Sequence, residues 1–246
     1  MRAIIIAAGE ASRWGNYKGT PKHLIQIDNE PILYRTVRLL KENNIDDIYI
    51  VGPDDDRYRV SGSELYIPKK NKDHVDADKF LNSEALWNTD GRTVVFYGDV
   101  YFTSEAMRMI VGHKEKDWIL FCRFNASELT GTPWGECFAQ SFYPKDINRH
   151  KSNLLLIAEE YKKGEIDRCG GWEHYRAMCN APLGRNHHKN YGCSIEINDW
   201  TDDFDYPKDF KRFVKARNKY NRINSDELND RSVKDKVLNF IRNLHR

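Results

Sequence analysis

The sequence predicts an α/β fold with a Rossmann-like, mainly parallel β-sheet flanked by helices. Apolar runs alternate with amphipathic segments over the first 120 residues. The run at 2–7 contains three consecutive isoleucines without polar alternation, which is typical of a strand covered on both faces. Because helical segments separate successive strands, the strands should pair in parallel through βαβ connections.

The elements of this first half follow in order along the chain. Strands are expected at 2–7, 47–51, 65–67 and 93–97, and helices at 31–43, 78–87 and 104–113. Pro31 suits a first helical turn, since its missing N–H has no helical partner there. Gly52 and Pro53 end the second strand, and Ser104 is the expected N-cap of the third helix.

The second half is less regular and predicts a small antiparallel extension of the sheet. Strands are expected at 118–124, 136–143 and 191–197, and helices at 145–163, 207–219 and 226–244. We interpret 1–246 as a single domain, with an insertion at about 125–190 and a C-terminal helix at about 226–245.

Composition excludes several classes of protein. Hydrophobic residues make up 40% of the 246 residues, so global disorder is not expected. The net charge of +2 is spread along the chain, which argues against a nucleic-acid partner. The first apolar run is too short for a secretion signal, and no stretch is long enough to span a membrane. Five scattered cysteines favour a reducing cytoplasm over a disulfide framework.

The loop after the first strand carries small residues and two cations. In open α/β sheets, ligands bind where strands end at their carboxyl edge, and small residues let backbone N–H groups approach phosphate. Arg13 and Lys22 add positive charge, although no Walker A motif is present. These residues alone fit a phosphate-binding loop and a tight structural turn equally well. The candidate nucleotide-binding residues here are Ala7, Ala8, Gly9, Glu10, Ala11, Arg13 and Lys22.

The segment 4–37 resembles the opening signature of the sugar-nucleotide and alcohol-phosphate nucleotidyltransferases. That signature runs strand, A-A-G-x-G-x-R, P-K-x-L, then G-x-P-[IL]-[IL]. Two residues depart from this signature: the second glycine of the loop is Ala11, and the usual glycine before Pro31 is Glu30. The resemblance implies a GT-A-like fold and transfer of a nucleotidyl group to a small phosphorylated acceptor. The matching residues are Ala7, Ala8, Gly9, Arg13, Pro21, Lys22, Leu24, Pro31, Ile32 and Leu33.

Two aspartates are candidate metal ligands. Asp99 follows the apolar strand at 93–97, and carboxylate oxygen suits Mg²⁺. The segment 203–210 resembles the family's D-[IL]-D-T-P-E-D-[LW] motif, which implies that Asp205 is the second ligand and Asp203 a further ligand or helper. The resemblance thus implies Mg²⁺, with Mn²⁺ as a substitute. A turn at Asp99 and an acidic helix cap at 203–205 are the structural alternatives.

The base and the acceptor are less well marked. Asn82 and Ser83 resemble a family segment that contacts the base, closest to cytidylyltransferases, which implies CTP; a helix cap is the alternative. Around 125–190 such enzymes hold their acceptor, through aromatic residues that could equally belong to the core. A zinc site is a minor alternative there, because the spacing is irregular. The acceptor candidates are Trp134, Glu136, Trp172, Tyr175, His187, His188 and Lys189. The zinc alternative would use Cys169, Cys179, His187, His188 and Cys193.

The resemblance implies two catalytic cations with separate roles. Lys22 would stabilise charge on the α-phosphate, and Arg13 would hold the β- and γ-phosphates and the departing pyrophosphate. A metal-dependent glycosyltransferase is the main alternative, since it could use the pair Asp203 and Asp205. A non-catalytic nucleotide-binding regulator is the third. The oligomeric state is open, and a homodimer is compatible with the sequence.

Overall fold

A computed structural model describes residues 1–9, 12–69, 75–184 and 189–226. The strands are β1 (Arg2–Ile6), β2 (Gln26–Ile27), β3 (Glu30–Pro31), β4 (Ile48–Val51), β5 (Glu64–Tyr66), β6 (Thr93–Tyr97), β7 (Val100–Tyr101), β8 (Ile119–Arg123), β9 (Glu136–Phe142), β10 (Ser194–Glu196) and β11 (Asp202–Asp203). The helices are α1 (Ile32–Glu42), α2 (Asp78–Leu81), α3 (Ser104–Gly112), α4 (Ile147–Lys163), α5 (Gly171–Met178) and α6 (Pro207–Asp226).

Seven strands form one sheet in the order β10-β8-β9-β6-β1-β4-β5. β1 pairs in parallel with β4 and β6, and β5 and β10 also pair in parallel with their neighbours. Only β9 runs antiparallel in this sheet, between β6 and β8. Two small antiparallel pairs, β2 with β3 and β7 with β11, lie apart. The predicted fold, a mainly parallel sheet with small antiparallel additions, is confirmed.

Two hydrophobic clusters hold the fold together. The large cluster fills both faces of the sheet, and Ile4 and Ile5 at its centre are fully buried. The second cluster is smaller and joins the loop after β1 to α6 through Trp14, Phe204 and Phe213. This second cluster fixes the N-terminal loop against the segment that carries Asp205.

Helix boundaries differ from the prediction in several places. The helix expected at 78–87 ends at Leu81, because the Ser83 hydroxyl donates to the Phe80 carbonyl and a separate 3₁₀ turn follows. The N-cap of α3 is Thr103 rather than Ser104, since the Thr103 hydroxyl accepts from the backbone of Ala106. Helix α5 was not predicted. The helix expected at 226–245 lies almost entirely outside the described residues, as do Glu10 and Ala11.

Membrane-spanning character is missing from the part of the chain that the structure covers. None of its helices is both long enough and apolar enough to cross a bilayer.

Buried histidines make the stability of the fold depend on pH. Burial lowers the pKa of His174 to about 3 and that of His23 to about 4, and it lowers the pKa of His150 well below 6.5. Below about pH 6.5 the unfolded chain therefore binds protons that the folded chain does not. We expect the free energy of unfolding to fall with decreasing pH, by up to about 1.4 kcal/mol per pH unit for each histidine.

Urea denaturation between about pH 7.5 and about pH 5 measures this effect. The variant His174→Gln should show a shallower pH dependence than the wild type, because one of the titrating groups has been removed. A free energy of unfolding that is the same at both pH values would contradict the assignment.

Candidate active site

The predicted site residues lie at the carboxyl edge of the sheet. β1 and β6 both end at this edge, so the loop at 7–9 lies beside the turn that carries Asp99. β9 begins there because it runs antiparallel, which brings Glu136 to the same edge. The close approach requires glycine at position 98, where a Cβ atom would lie 2.7 Å from the Ile6 carbonyl oxygen. Among the described residues, no atom lies within 4 Å of the position that a Cβ atom on Gly9 would occupy.

Four charged residues selected from the sequence converge at this edge. The Lys22 Nζ donates a short hydrogen bond to Asp99 Oδ2 and lies 3.6 Å from Asp205 Oδ1. The Arg13 Nη1 lies 2.7 Å from Asp205 Oδ2. The two proposed metal ligands are therefore paired directly with the two proposed phosphate-binding cations.

Local structure directs Lys22 into the site. It opens a 3₁₀ turn, Lys22–Leu24, directly after Pro21. His23 in this turn is buried, with its Nδ1 3.2 Å from the Tyr58 hydroxyl oxygen. Further back in the loop, the buried Trp14 indole donates to the Thr20 carbonyl at 2.9 Å. These anchors fix the backbone on both sides of the lysine.

The pairing keeps Lys22 and Asp99 charged. Burial alone would lower the pKa of Lys22, but the carboxylates of Asp99 and Asp205 outweigh burial and raise it above its ordinary value. Burial alone would raise the pKa of Asp99, but the combined effect of Lys22, His23 and Lys79, with Lys22 the largest of the three, outweighs burial and lowers it. Both pKa shifts favour the charged form of the side chain, so the ion pair is present at neutral pH.

Further acidic groups surround this ion pair. Burial raises the pKa values of Glu136 and Asp203 well above their ordinary range, and the neighbouring carboxylates raise them further. The Glu136 Oε1 atom is buried without a hydrogen-bond partner among the residues that the structure describes. Asp202 differs, because Arg123 lies 3.0 Å from its Oδ1 and the Thr130 hydroxyl donates to it at 3.1 Å.

The residues present fit a divalent cation. Carboxyl groups outnumber cations at this edge of the described structure, and the unpartnered Glu136 Oε1 is surrounded by Asp99, Asp202 and Asp205, whose charges raise its pKa. The described ranges contain no group of three or more side chains arranged to bind a metal by themselves. The carboxylates at the site are Asp99, Asp202, Asp203, Asp205 and Glu136, and its cations are Arg13, Lys22 and Arg123.

The structure does not bring the side chain of Ser83 to the charged cluster. Ser83 is fully buried, and its hydroxyl also accepts a bond from the Trp87 indole at 3.0 Å. Asn82 lies at the end of α2 and is partly buried. The residue of this segment whose charge acts on Asp99 is Lys79, which sequence reasoning missed.

The aromatic residues of the predicted acceptor region separate into two groups. Tyr175 is buried in the core, and Trp172 is packed against that core with its indole bonded to the Gly135 carbonyl. Trp134, by contrast, is 40% exposed and lines a cleft beside Asp205 with Tyr206. Among these three aromatics, only Trp134 has an open face next to the site.

The zinc alternative gains no support from the described part of the region. Cys169, Cys179 and Cys193 are free thiols, and no metal-binding group of three was found there. His187 and His188 lie outside the described residues.

Comparisons with known proteins agree with this geometry. The family model described as "MobA-like NTP transferase domain" matches residues 3–125, half of the chain. A curated relative, the bifunctional IPC transferase and DIPP synthase of Thermococcus kodakarensis, is 36% identical over 83 residues. That match covers 34% of this chain and only 17% of the relative's length.

Solved structures show the same fold. A putative glucose-1-phosphate thymidylyltransferase from Bacillus anthracis superposes with a TM-score of 0.59 at 16% identity, covering 87% of this chain and 94% of that chain. The CTP:phosphocholine cytidylyltransferase of Streptococcus pneumoniae superposes with a TM-score of 0.54 at 17% identity, covering 87% and 97%. Similarity to both extends well beyond the residues of the family match.

Proposed function

The chain belongs to the family of MobA-like NTP transferase domains, and on this premise we propose that it transfers a nucleotidyl group from an NTP to a small phosphorylated sugar or alcohol. Pyrophosphate is the second product. The observation that carries the proposal is the contact of Lys22 with both Asp99 and Asp205 at the end of the phosphate loop.

The reaction requires positioning and charge neutralisation. An oxygen of the acceptor phosphate attacks the α-phosphorus, a new P–O bond forms, and the bond from the α-phosphorus to the β-phosphate oxygen breaks. The acceptor phosphate is already an anion near neutral pH, so no side chain has to remove a proton.

Lys22 and Arg13 supply most of the positioning and charge neutralisation. Before substrate binds, both are counter-ions of Asp99 and Asp205. Phosphate oxygens of the NTP offer these cations an alternative partner, with Lys22 at the α-phosphate and Arg13 at the β- and γ-phosphates. Asp99 and Asp205 would then hold Mg²⁺, or Mn²⁺ in its place, which would supply neutralisation of the phosphate charge.

CTP is the proposed nucleotide. Two observations support it: the segment at 82–83 is similar to that of cytidylyltransferases, and one structural neighbour is named for its use of CTP. Since the Ser83 side chain is turned into the core, any base contact from this segment would come from Asn82 or the backbone. We place the acceptor in the cleft between Asp205 and Trp134, of which Trp134 belongs to the segment 125–190. Free thiols in the described part support a cytoplasmic location.

A pyrophosphate-release screen tests the function. Each of the four NTPs is incubated with Mg²⁺ and a panel of acceptors that includes glucose 1-phosphate, inositol 1-phosphate and phosphocholine. We expect release that depends on the acceptor and is fastest with CTP. A preference for a purine nucleotide would contradict the base assignment, and no release with any pair would contradict transfer itself.

A further inference from the structure

Lys79 lies beside the aromatic residue that ends β6, two residues before Asp99. It belongs to the short helix α2, and its ammonium lies 5.7 Å from the Phe80 ring centroid and 5.8 Å from that of Tyr97. Both rings are buried and pack edge to face at 5.6 Å. The side chain therefore rests on a rigid aromatic surface that ends two residues before Asp99.

The ammonium of Lys79 has weak partners. Its ion pair with Asp76 is 3.8 Å long, and the Asp76 side chain is 65% exposed, so solvent screens the attraction. The side chain of Lys79 itself is only 25% exposed. Within the described ranges it makes no hydrogen bond, whereas Lys22 and Arg13 contact carboxylates at close range.

The charge of Lys79 acts inside the site. Lys22 contributes most to the lowered pKa of Asp99 against the effect of burial, and Lys79 contributes in the same direction. Asp76, the partner of Lys79, in turn favours the charged form of Arg13. The exposed carboxylate of Asp76 therefore interacts with both Lys79, at 3.8 Å, and Arg13.

We propose that Lys79 is a third phosphate-binding cation of this site. Lys22 and Arg13 already neutralise Asp99 and Asp205, so Lys79 is the cation of the three that an incoming phosphate meets with the least competition. The phosphate belongs either to the triphosphate of the NTP or to the acceptor. This inference rests on the proposed function and extends it by one residue.

Calorimetric titrations of the variants Lys79→Met and Lys79→Arg distinguish the two sources. Inorganic tripolyphosphate measures binding of the triphosphate of an NTP without its base, and glucose 1-phosphate measures binding of the acceptor. We expect Lys79→Met to weaken one of these by about tenfold or more, equivalent to about 1.4 kcal/mol, with Lys79→Arg remaining within about threefold of the wild type. Weaker tripolyphosphate binding assigns Lys79 to the NTP, and weaker glucose 1-phosphate binding assigns it to the acceptor.

The matched control is Lys145→Met. Lys145 follows the far end of β9, at the opposite edge of the sheet, and pairs with the exposed Asp117 at 2.6 Å. It should leave both affinities unchanged, and circular dichroism verifies the fold of each variant. Lys79→Met that binds both probes like the wild type overturns the proposal, as does a wild type that binds neither. Because the titrations need no turnover, a failed pyrophosphate screen would contradict the transfer reaction and leave this result standing.

Discussion

Replacing Asp99 by Asn is expected to lower kcat by at least about a hundredfold, equivalent to about 3 kcal/mol of transition-state stabilisation. The substitution keeps the shape of the side chain but removes the negative charge that, on the proposed function, would hold a divalent cation. Asp99 is partly buried and has a lowered pKa, so its charge is present throughout the neutral range. Activity should also depend on Mg²⁺ or Mn²⁺.

The control for this prediction is Asp117→Asn, which removes an exposed carboxylate paired with Lys145. It should have the activity of the wild type. Binding of Mn²⁺ in the presence of CTP, followed by electron paramagnetic resonance, gives a readout that needs no turnover, and Asp99→Asn should weaken it. Full activity in excess chelator would show that Asp99 and Asp205 do not serve a metal.

Replacing Lys22 by Ala is expected to abolish most turnover while NTP affinity changes by less than about tenfold, roughly 1.4 kcal/mol. A group that acts mainly on charge developing at the α-phosphate affects kcat more than binding. Arg13→Ala should weaken both, because Arg13 would hold the triphosphate in the ground state as well as the leaving pyrophosphate. NTP titration and pyrophosphate release measure the two effects separately.

Replacing Lys22 by Ala should also change metal binding, which can be measured without turnover. Lys22 competes with a metal for Asp99, so its removal should increase the affinity for Mn²⁺ in the absence of NTP. Lys145→Ala is the matched control and should change neither turnover nor Mn²⁺ affinity. A Lys22→Ala variant that turns over at the wild-type rate would make Lys22 a structural residue.

Local patterns predicted the centre of the fold and the charged cluster. The isoleucine run of β1 and the apolar strand before Asp99 have strong periodic signals, and both occupy the middle of the sheet. Arg13, Lys22 and Asp205 were found because their motifs are local in sequence. Arg13 and Lys22 meet Asp99 because the parallel topology places the ends of β1 and β6 at one edge. Asp205 joins them because β11 pairs with β7, which directly follows Asp99.

Other features depend on contacts that a linear pattern does not contain. Glu136 reaches the site because β9 runs antiparallel, and Lys79 lies over the ring of Tyr97 at the end of β6 because α2 packs there. Ser83 has the composition of a binding residue, but its hydroxyl is used by Phe80 and Trp87. Helix α5 begins at Gly171, a weak helix former that is required because a Cβ there would lie 2.1 Å from the Tyr97 hydroxyl oxygen.

Mass spectrometry of the reaction product tests the central claim most directly. The wild type is incubated with Mg²⁺ and each NTP and acceptor pair of the screen, and the products are separated and weighed. Nucleotidyl transfer predicts a product whose mass equals NTP plus acceptor minus pyrophosphate, and this product should form far more slowly with Asp99→Asn and with Lys22→Ala. NTP and acceptor recovered unchanged from every pair would contradict the account. So would a chain that leaves NTP intact but converts a nucleotide-sugar donor into a nucleoside diphosphate and a glycoside, because the site would then serve a glycosyltransferase.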